Sequence, residues 1–364
     1  MSYCLRYLLG LEKTLIIRGP ASVRLIEGHA NALNAPLVGR KFVVRREKQL
    51  PVQATSDAVL EVILGESGTL FEVTGSTIPR SWYSALDAIV EMKEGRIVII
   101  GATDVGKSTL STFLANGLFK EQISCQIVDA DIGQADIGPP TTIGSAVTSS
   151  FLPSLVELDP SALIFVGDTS PNRVQSKLLD GIQRLSKNEE AKLTIINTDG
   201  WVLDREAIIY KTRLIETVRP DLVLAIASFN ELDPIVSGAS AISMRIEAPT
   251  MILSRSQRDR RQIRTSGYRR FLDGGATRAY GKQTIRLKLP LGVSSIETVG
   301  RSQLRNLLVG LLDEDGLLLQ IGVLLGLDDI SLRVYSRAVD HVATIEVSCV
   351  KLSTDGVELG YLEL

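Results

Sequence analysis

The chain has 364 residues, of which 45% are apolar, enough to build several buried cores and long enough for two or three domains. Its 40 basic and 42 acidic side chains nearly cancel, which excludes a global field that would draw it to nucleic acid or to anionic lipid. Any polyanion site must therefore be local.

Cys4, Cys125 and Cys349 lie far apart and form no ligand-spaced cluster, which argues against a disulfide framework or a structural zinc and for reduced thiols in a cytoplasmic protein. Neither "MSYCLRYLLGLEK" nor "GLLLQIGVLLGLDD" is long and unbroken enough for a signal peptide or a membrane span.

Residues 1–92 read as an N-terminal β domain. The runs "TLIIRG", "ASVRLIEG", "KFVVRR" and "AVLEVILGESG" are short, β-prone and punctuated by glycine or charge, as in a small antiparallel sheet. His29 has no Cys, His or acid at ligand spacing and is expected at the surface or in a hydrogen bond.

From residue 93 to 278 strand alternates with helix. "RIVII", "CQIVDAD", "ALIFVG", "LTIINT", "DLVLAIA" and "PTMILS" are each apolar enough to be buried on both faces. Helix-length segments such as Asn172 to Lys187 and Asp204 to Val218 separate several of them. This predicts an α/β domain with a mostly parallel sheet and right-handed crossovers. Residues 279–364 return to strand periodicity, with Ile285, Leu287 and Leu289 on one face of "TIRLKL" and a hairpin around Asp313 to Gly316, so a second all-β domain is expected.

The chemistry concentrates in the middle region. "GATDVGKS" satisfies G-x-x-x-x-G-K-[ST], the Walker A phosphate loop, between a strand and a helix. Glycines at Gly101 and Gly106 let the backbone curl so that the N–H groups from Ala102, Thr103, Asp104 and Val105 onward converge on phosphate oxygens, and the helix N-terminus adds partial positive charge. Lys107 would reach the β and γ oxygens of ATP or another NTP, Ser108 would place its hydroxyl on Mg²⁺, and Thr109 would cover the α-phosphate.

Asp129 and Asp131 follow in "CQIVDADIGQADIGPP", where a parallel sheet delivers side chains to the ligand crevice. There a carboxylate can order the Mg²⁺ shell, accept a proton from an attacking hydroxyl, or simply cap the next turn; Asp136 reads as a turn residue. No Asn-Lys-x-Asp follows, which weakens a GTPase reading. Instead Arg255, Arg258, Arg260, Arg261, Arg264, Arg269 and Arg270 crowd "SRSQRDRRQIRTSGYRRF" against the single acid Asp259, a local charge of plus six. On a helix such a run serves either as a solvated face or as a lid over a transferred phosphoryl group.

Together these residues resemble the polynucleotide 5′-hydroxyl kinase family, which includes the RNA kinase subunit of the pre-mRNA cleavage machinery, a kinase of ribosomal RNA processing and archaeal relatives. "GATDVGKST" is similar to the family's phosphate loop, "DADIGQ" to its acid motif, "GDTSPN" to its clasp, "NTDGWV" to its tryptophan motif and "RSQRDRRQIR" to its lid. The five occur in the family's order, and β-rich flanks suit its three-domain plan.

The resemblance implies a P-loop kinase that transfers the γ-phosphate of ATP to the 5′-hydroxyl of RNA, with DNA as a second acceptor. It makes Lys107 and the lid arginines Arg255, Arg260 and Arg264 catalytic, and Asp131 both general base and metal organiser with Ser108. It places Gln134, Thr169, Ser170, Pro171 and Trp201 on the acceptor, Trp201 by stacking on a base. Asn172 stands where many members carry glycine, and Arg258 and Arg261 are additional to the lid pattern. From the residues alone, Trp201 could equally be core and "GDTSPN" a helix-capping turn. Two other readings stay open: a P-loop ATPase or GTPase switch whose acceptor is water, and a nucleotide-bound assembly subunit that docks an RNA-processing nuclease or ligase.

Overall fold

The computed structural model describes residues 3–187, 191–239, 241–290, 292–296 and 300–363. They divide into two compact units, one of Met1–Val128, Ala146–Asp159 and Ser186–Asp259, the other of Asp129–Ser145, Pro160–Leu185 and Arg260–Leu364.

The first unit opens with nine strands: β1 (Tyr3–Leu9), β2 (Lys13–Arg18), β3 (Ala21–Glu27), β4 (Ala30–Ala32), β5 (Ala35–Pro36), β6 (Lys41–Val44), β7 (Gln49–Ala54), β8 (Ala58–Leu64) and β9 (Thr69–Thr74). They form two sheets rather than the one expected, in the orders β1-β8-β3-β6 and β5-β4-β7-β2-β9. Alternation sets the inner faces: in β7, Leu50, Val52 and Ala54 are buried while the residues between are half-exposed. His29 lies at the surface with its Nδ1 3.4 Å from Ser56 Oγ, as anticipated.

Helix α1 (Arg80–Met92) buries Trp82, Ala85 and Ile89, one stripe at helical spacing. It leads to β10 (Gly95–Gly101), then α2 (Lys107–Lys120) and β11 (Cys125–Ala130). β12 (Thr142–Val147), β13 (Ala162–Phe165) and α3 (Gln175–Leu185) come next, followed by β14 (Leu193–Thr198), α4 (Arg205–Val218), β15 (Leu222–Ile226), α5 (Asp233–Ser237) and β16 (Ser243–Ile246).

In the first unit the strands run in the order β11-β14-β10-β15-β16. β10 pairs in parallel with β14 and with β15, and β15 with β16. Every residue of β11, β14 and β15 is buried, the two-sided burial that their unbroken apolar runs announce. One expected strand is wrong: residues 249–254, "PTMILS", form an irregular strap, and the edge strand is the half-exposed Ser243–Ile246.

In the second unit β12 and β13 form an antiparallel pair. The expected helix from Asn172 resolves into a 3₁₀ turn, Pro171–Arg173, and then α3, which starts at Gln175. Helix α6 (Gln257–Leu272) leads into β17 (Ala276–Gly281), β18 (Arg286–Lys288), β19 (Leu307–Leu312), β20 (Leu318–Leu327), β21 (Ser331–Ser336), β22 (Thr344–Leu352) and β23 (Glu358–Tyr361). Their sheet has the order β17-β21-β20-β19-β22-β18, with β23 on β22. The expected hairpin is β19–β20, whose register includes Leu312 opposite Leu318. Leu163, Phe165, Tyr268, Leu272, Leu308 and Ile321 share one of its cores. No described helix is long and apolar enough to cross a membrane.

Candidate active site

In the first unit, the buried run Ile97 to Ile100 drives β10 through the core and delivers Gly101 at its end. A Cβ at Gly101 would sit 2.9 Å from the Ile226 carbonyl oxygen, so the loop starts where only glycine fits. Asp104 and Gly106 have positive φ, 62° and 99°, which turn the chain back into α2. Gly106 is the N-cap and has no side chain to cap α2, the kind of helix N-terminus that suits an anion.

Lys107 is buried and its Nζ donates to the Gly101 and Ala102 carbonyls at 3.0 and 2.7 Å, holding the ammonium at the loop it serves. Asn197 Nδ2 donates to Ser108 Oγ at 3.3 Å. These residues fit a nucleotide's phosphates: a curled glycine backbone, a cation and an oriented hydroxyl. They also suit Mg²⁺, which binds through one or two protein oxygens plus phosphates and waters rather than in an all-protein cage.

The tryptophan motif buttresses this loop. A Cβ at Gly200 would lie 2.7 Å from the Thr103 backbone nitrogen, so the two segments pack backbone to backbone. Beside it Asp199 and Lys211 form a buried ion pair at 2.8 Å. Asp199 also accepts from the Trp201 N–H at 2.9 Å and from the Tyr210 hydroxyl at 3.3 Å. Trp201 stacks on Tyr210 with centroids 5.8 Å apart and donates Nε1 to Asp204 at 2.5 Å. It is half-buried, with its ring packed on Tyr210.

Arg255 departs from its expected place in a helical lid. It precedes α6, whose start is capped by Ser256 and Asp259 through reciprocal hydrogen bonds. Its Nη1 pairs with Asp104 Oδ1 at 3.2 Å, and its Nε and Nη2 donate to the Glu47 carbonyl at 3.2 and 3.1 Å. It thereby ties the phosphate loop to the N-terminal sheets.

The second unit gathers the acid motif, the clasp and most of the arginine run. Asp129 is fully buried, and its Oδ2 accepts from the Asp136 and Ile137 N–H groups at 2.6 and 3.1 Å. Burial, with the charges of Asp136 and Asp131 adding to it, pushes its carboxyl up to about 7. Asp129 is thus the anchor of the turn. Asp131 is half-buried, its Oδ1 accepting from the Gly133 and Gln134 N–H groups at 3.2 and 3.0 Å. Asp136 is buried rather than a simple surface turn residue.

A Cβ on Gly133 would meet the Thr169 carbonyl oxygen at 3.0 Å, so acid turn and clasp approach closely. In the clasp, Asp168 accepts from the Ser170 N–H at 2.9 Å and pairs with Arg173 at 3.5 Å. Burial raises the Asp168 carboxyl, against the pull of those two partners. Thr169 Oγ1 lies 2.6 Å from Tyr361 Oη, and Ser170 Oγ donates to Asn172 Oδ1 at 2.8 Å. Pro171 opens the 3₁₀ turn, with Ser170 at its N-cap and no side-chain capping hydrogen bond.

In α6, Arg264 grips Glu358 through Nε and Nη2 at 2.6 and 2.8 Å, and Arg261 donates to the Glu358 carbonyl. Arg260 is half-buried and Arg258 exposed.

Residues 101–274 match the family model described as mRNA cleavage and polyadenylation factor CLP1 P-loop. A polyribonucleotide 5′-hydroxyl-kinase of Pyrococcus furiosus is 29% identical over 340 residues, covering 79% of this chain and 96% of that protein. One from Methanocaldococcus jannaschii is 24% identical over 346 residues, covering 79% and 95%. The chain is thus similar to polynucleotide 5′-hydroxyl kinases over about four fifths of its length, and its central segment to the CLP1 P-loop.

The solved structure of Clp1p in a Clp1p–Pcf11p complex aligns over 96% of this chain and 98% of that one, with a TM-score of 0.75 at 13% identity. That likeness fixes the fold as a P-loop domain between β-rich N- and C-terminal parts. Likeness to P-loop kinases implies use of a nucleotide. Several residues that shape the site escaped sequence reasoning: Asn197, Asp199, Lys211, Glu358 and Tyr361. Asn197 and Asp199 sit inside or beside "NTDGWV", where a polar pair ending a buried strand was the available signal. Glu358 and Tyr361 lie in a tail with no motif.

Proposed function

We propose that this chain is an ATP-dependent polynucleotide 5′-hydroxyl kinase that phosphorylates the 5′-hydroxyl ends of RNA, with DNA ends as a second acceptor. The observation that carries this reading is the ordered acid-and-clasp cluster around Asp131, Gly133 and Thr169, an acceptor apparatus for which a nucleotide hydrolase has no use. Catalysis is positioning plus electrostatics. The acceptor's 5′ oxygen attacks the γ-phosphorus in line, the bond to the β–γ bridging oxygen breaks, and the hydroxyl proton passes to Asp131.

Lys107 neutralises charge on the leaving side, and Ser108 offers its hydroxyl as a metal ligand, with Asp131 helping to order the metal. Mg²⁺, when bound, would supply further charge neutralisation for the transfer. Gln134 and Thr169 to Pro171 hold the acceptor end, Trp201 stacks on a base, and Arg260 and Arg264 spread the charge of the transferred group. Arg255 acts through Asp104 on the loop. The partners this chemistry calls for are a nuclease that leaves a 5′-hydroxyl and a ligase that uses the 5′-phosphate. The three unpaired cysteines support a cytoplasmic setting.

The test offers γ-labelled ATP, Mg²⁺ and RNA with a 5′-hydroxyl or a 5′-phosphate, with Lys107→Ala alongside. Label on the hydroxyl-ended RNA alone, absent with the variant, is the expected result. Released phosphate without labelled RNA would overturn the reading in favour of a hydrolase.

A further inference from the structure

The last strand, β23, reaches two features of the second unit: the clasp, which the kinase reading assigns to the acceptor, and Arg264, which it assigns to the transferred group. At its end Tyr361 sets its hydroxyl 2.6 Å from Thr169 Oγ1, and the Arg173 guanidinium lies over its ring at 4.7 Å from the centroid. At its start Glu358 holds Arg264 through both carboxylate oxygens.

Each contact removes freedom from a group that an exposed loop would otherwise leave to rotate. A threonine hydroxyl has one proton and two lone pairs; when the Tyr361 hydroxyl donates to it, the threonine proton is aimed elsewhere. Arg173 is fixed on two sides, by the Tyr361 ring and by Asp168 at 3.5 Å, while its side chain remains 49% exposed. A planar guanidinium held in this way still presents N–H donors, the geometry suited to a phosphate.

A second observation marks the same place. The Tyr268 hydroxyl is buried with no hydrogen-bond partner among the described residues. It lies close enough to Glu358, Arg264, Tyr361 and Asp168 for their charges to act on it. A buried phenol of this kind in a native fold is ordinarily completed by water or by a ligand group.

We propose that Tyr361 is a positioning residue of the acceptor site, holding the Thr169 hydroxyl and the Arg173 guanidinium for the phosphodiester that follows the first nucleotide. The inference rests on the reading of Thr169 to Pro171 as the acceptor clasp. It names a substrate feature, the first internucleotide phosphate, and it gives the C-terminal sheet a part in recognising it.

The experiment compares wild type, Tyr361→Phe and Tyr361→Leu in steady-state transfer to two 5′-hydroxyl RNA oligonucleotides. One is natural, and the other carries an uncharged methylphosphonate at its first linkage. Tyr361→Phe, which loses only the hydroxyl, raises the KM for natural RNA about three- to tenfold, the worth of one hydrogen bond. The KM for ATP and the thermal midpoint stay unchanged, and Tyr361→Leu, which also removes the ring from Arg173, has the larger effect. On the methylphosphonate oligonucleotide, wild type and Tyr361→Phe are equal. An unchanged KM for natural RNA, or the same rise on both oligonucleotides, overturns the inference while leaving the kinase reading intact. No transfer by the wild type to either oligonucleotide sinks the kinase reading, and this inference with it.

Discussion

Replacing Asp199 by alanine should be among the most destabilising changes in the first unit. Its carboxylate and the Lys211 ammonium are 2.8 Å apart, with side-chain exposures of 4% and 0%. Removing one partner of such a pair leaves a charge stranded in a medium that solvates it poorly, a loss of about 3–5 kcal/mol. Among the described residues the Lys211 ammonium keeps the Asp199 carbonyl at 3.1 Å and the face of Tyr210 at 5.0 Å. The Trp201 N–H and the Tyr210 hydroxyl lose an acceptor as well, each worth about 1 kcal/mol. The sum, about 5–7 kcal/mol, rivals the whole stability of many domains.

Asp199→Ala combined with Lys211→Met leaves no buried charge, so the double variant should be more stable than Asp199→Ala alone, with a coupling of about 2–3 kcal/mol. Urea unfolding followed by tryptophan fluorescence measures this directly, because the chain's two tryptophans, Trp82 and Trp201, both belong to this unit. A loss below about 1 kcal/mol for Asp199→Ala, or strict additivity in the double variant, would refute the argument.

Asp131→Asn keeps an oxygen to accept from Gly133 and Gln134, so the turn should persist while transfer falls by about a hundredfold or more, read as kcat with an unchanged thermal midpoint. Gly200→Ala forces a Cβ to within 2.7 Å of the Thr103 backbone, and overpacking of that size should raise the KM for ATP about tenfold while sparing that for RNA. Thiol titration at pH 8 should find Cys4 quickly, since it is exposed, and Cys349 slowly. Cys125 should react only on unfolding, because burial pushes its thiol up to about 12 and leaves about one part in ten thousand as thiolate even before access is considered. Rapid labelling of Cys125 would contradict its burial.

The parts legible in the sequence are those whose signal is local. "GATDVGKS" announces its loop because glycine, lysine and serine at fixed offsets have one structural use, and β11, β14 and β15 announce themselves because two-sided burial demands unbroken apolar runs. "PTMILS" misleads because an apolar run need not be a buried strand: residues 249–254 are half-buried or exposed, Ile252 at 40%. A Cβ on Gly106 would touch the Pro249 ring at 3.1 Å, and the Met251 carbonyl accepts from Gln49 at 2.7 Å. The true edge strand, Ser243–Ile246, has one face in solvent and so lacks the apolar run. The site's supports were hidden by distance along the chain: Arg255 reaches the Glu47 carbonyl 208 residues away, and Arg264 reaches Glu358 across 94.

The arginine run shows why charge counted along a sequence overstates the charge available to a phosphoryl group. Arg255 is engaged with Asp104, Arg264 with Glu358 and Arg269 with Asp355. These pairs are not equivalent. The Arg269–Asp355 pair has both side chains more than half exposed, where water and salt screen it to little effect. Arg264 and Glu358 are 19% and 11% exposed and bidentate, so Arg264 gives up a desolvated partner if it is to reach a phosphate, and only an anion of higher charge density can draw it away. The bidentate, desolvated pair therefore holds Arg264 far more firmly than the screened Asp355 holds Arg269, although both arginines stand on the same helix.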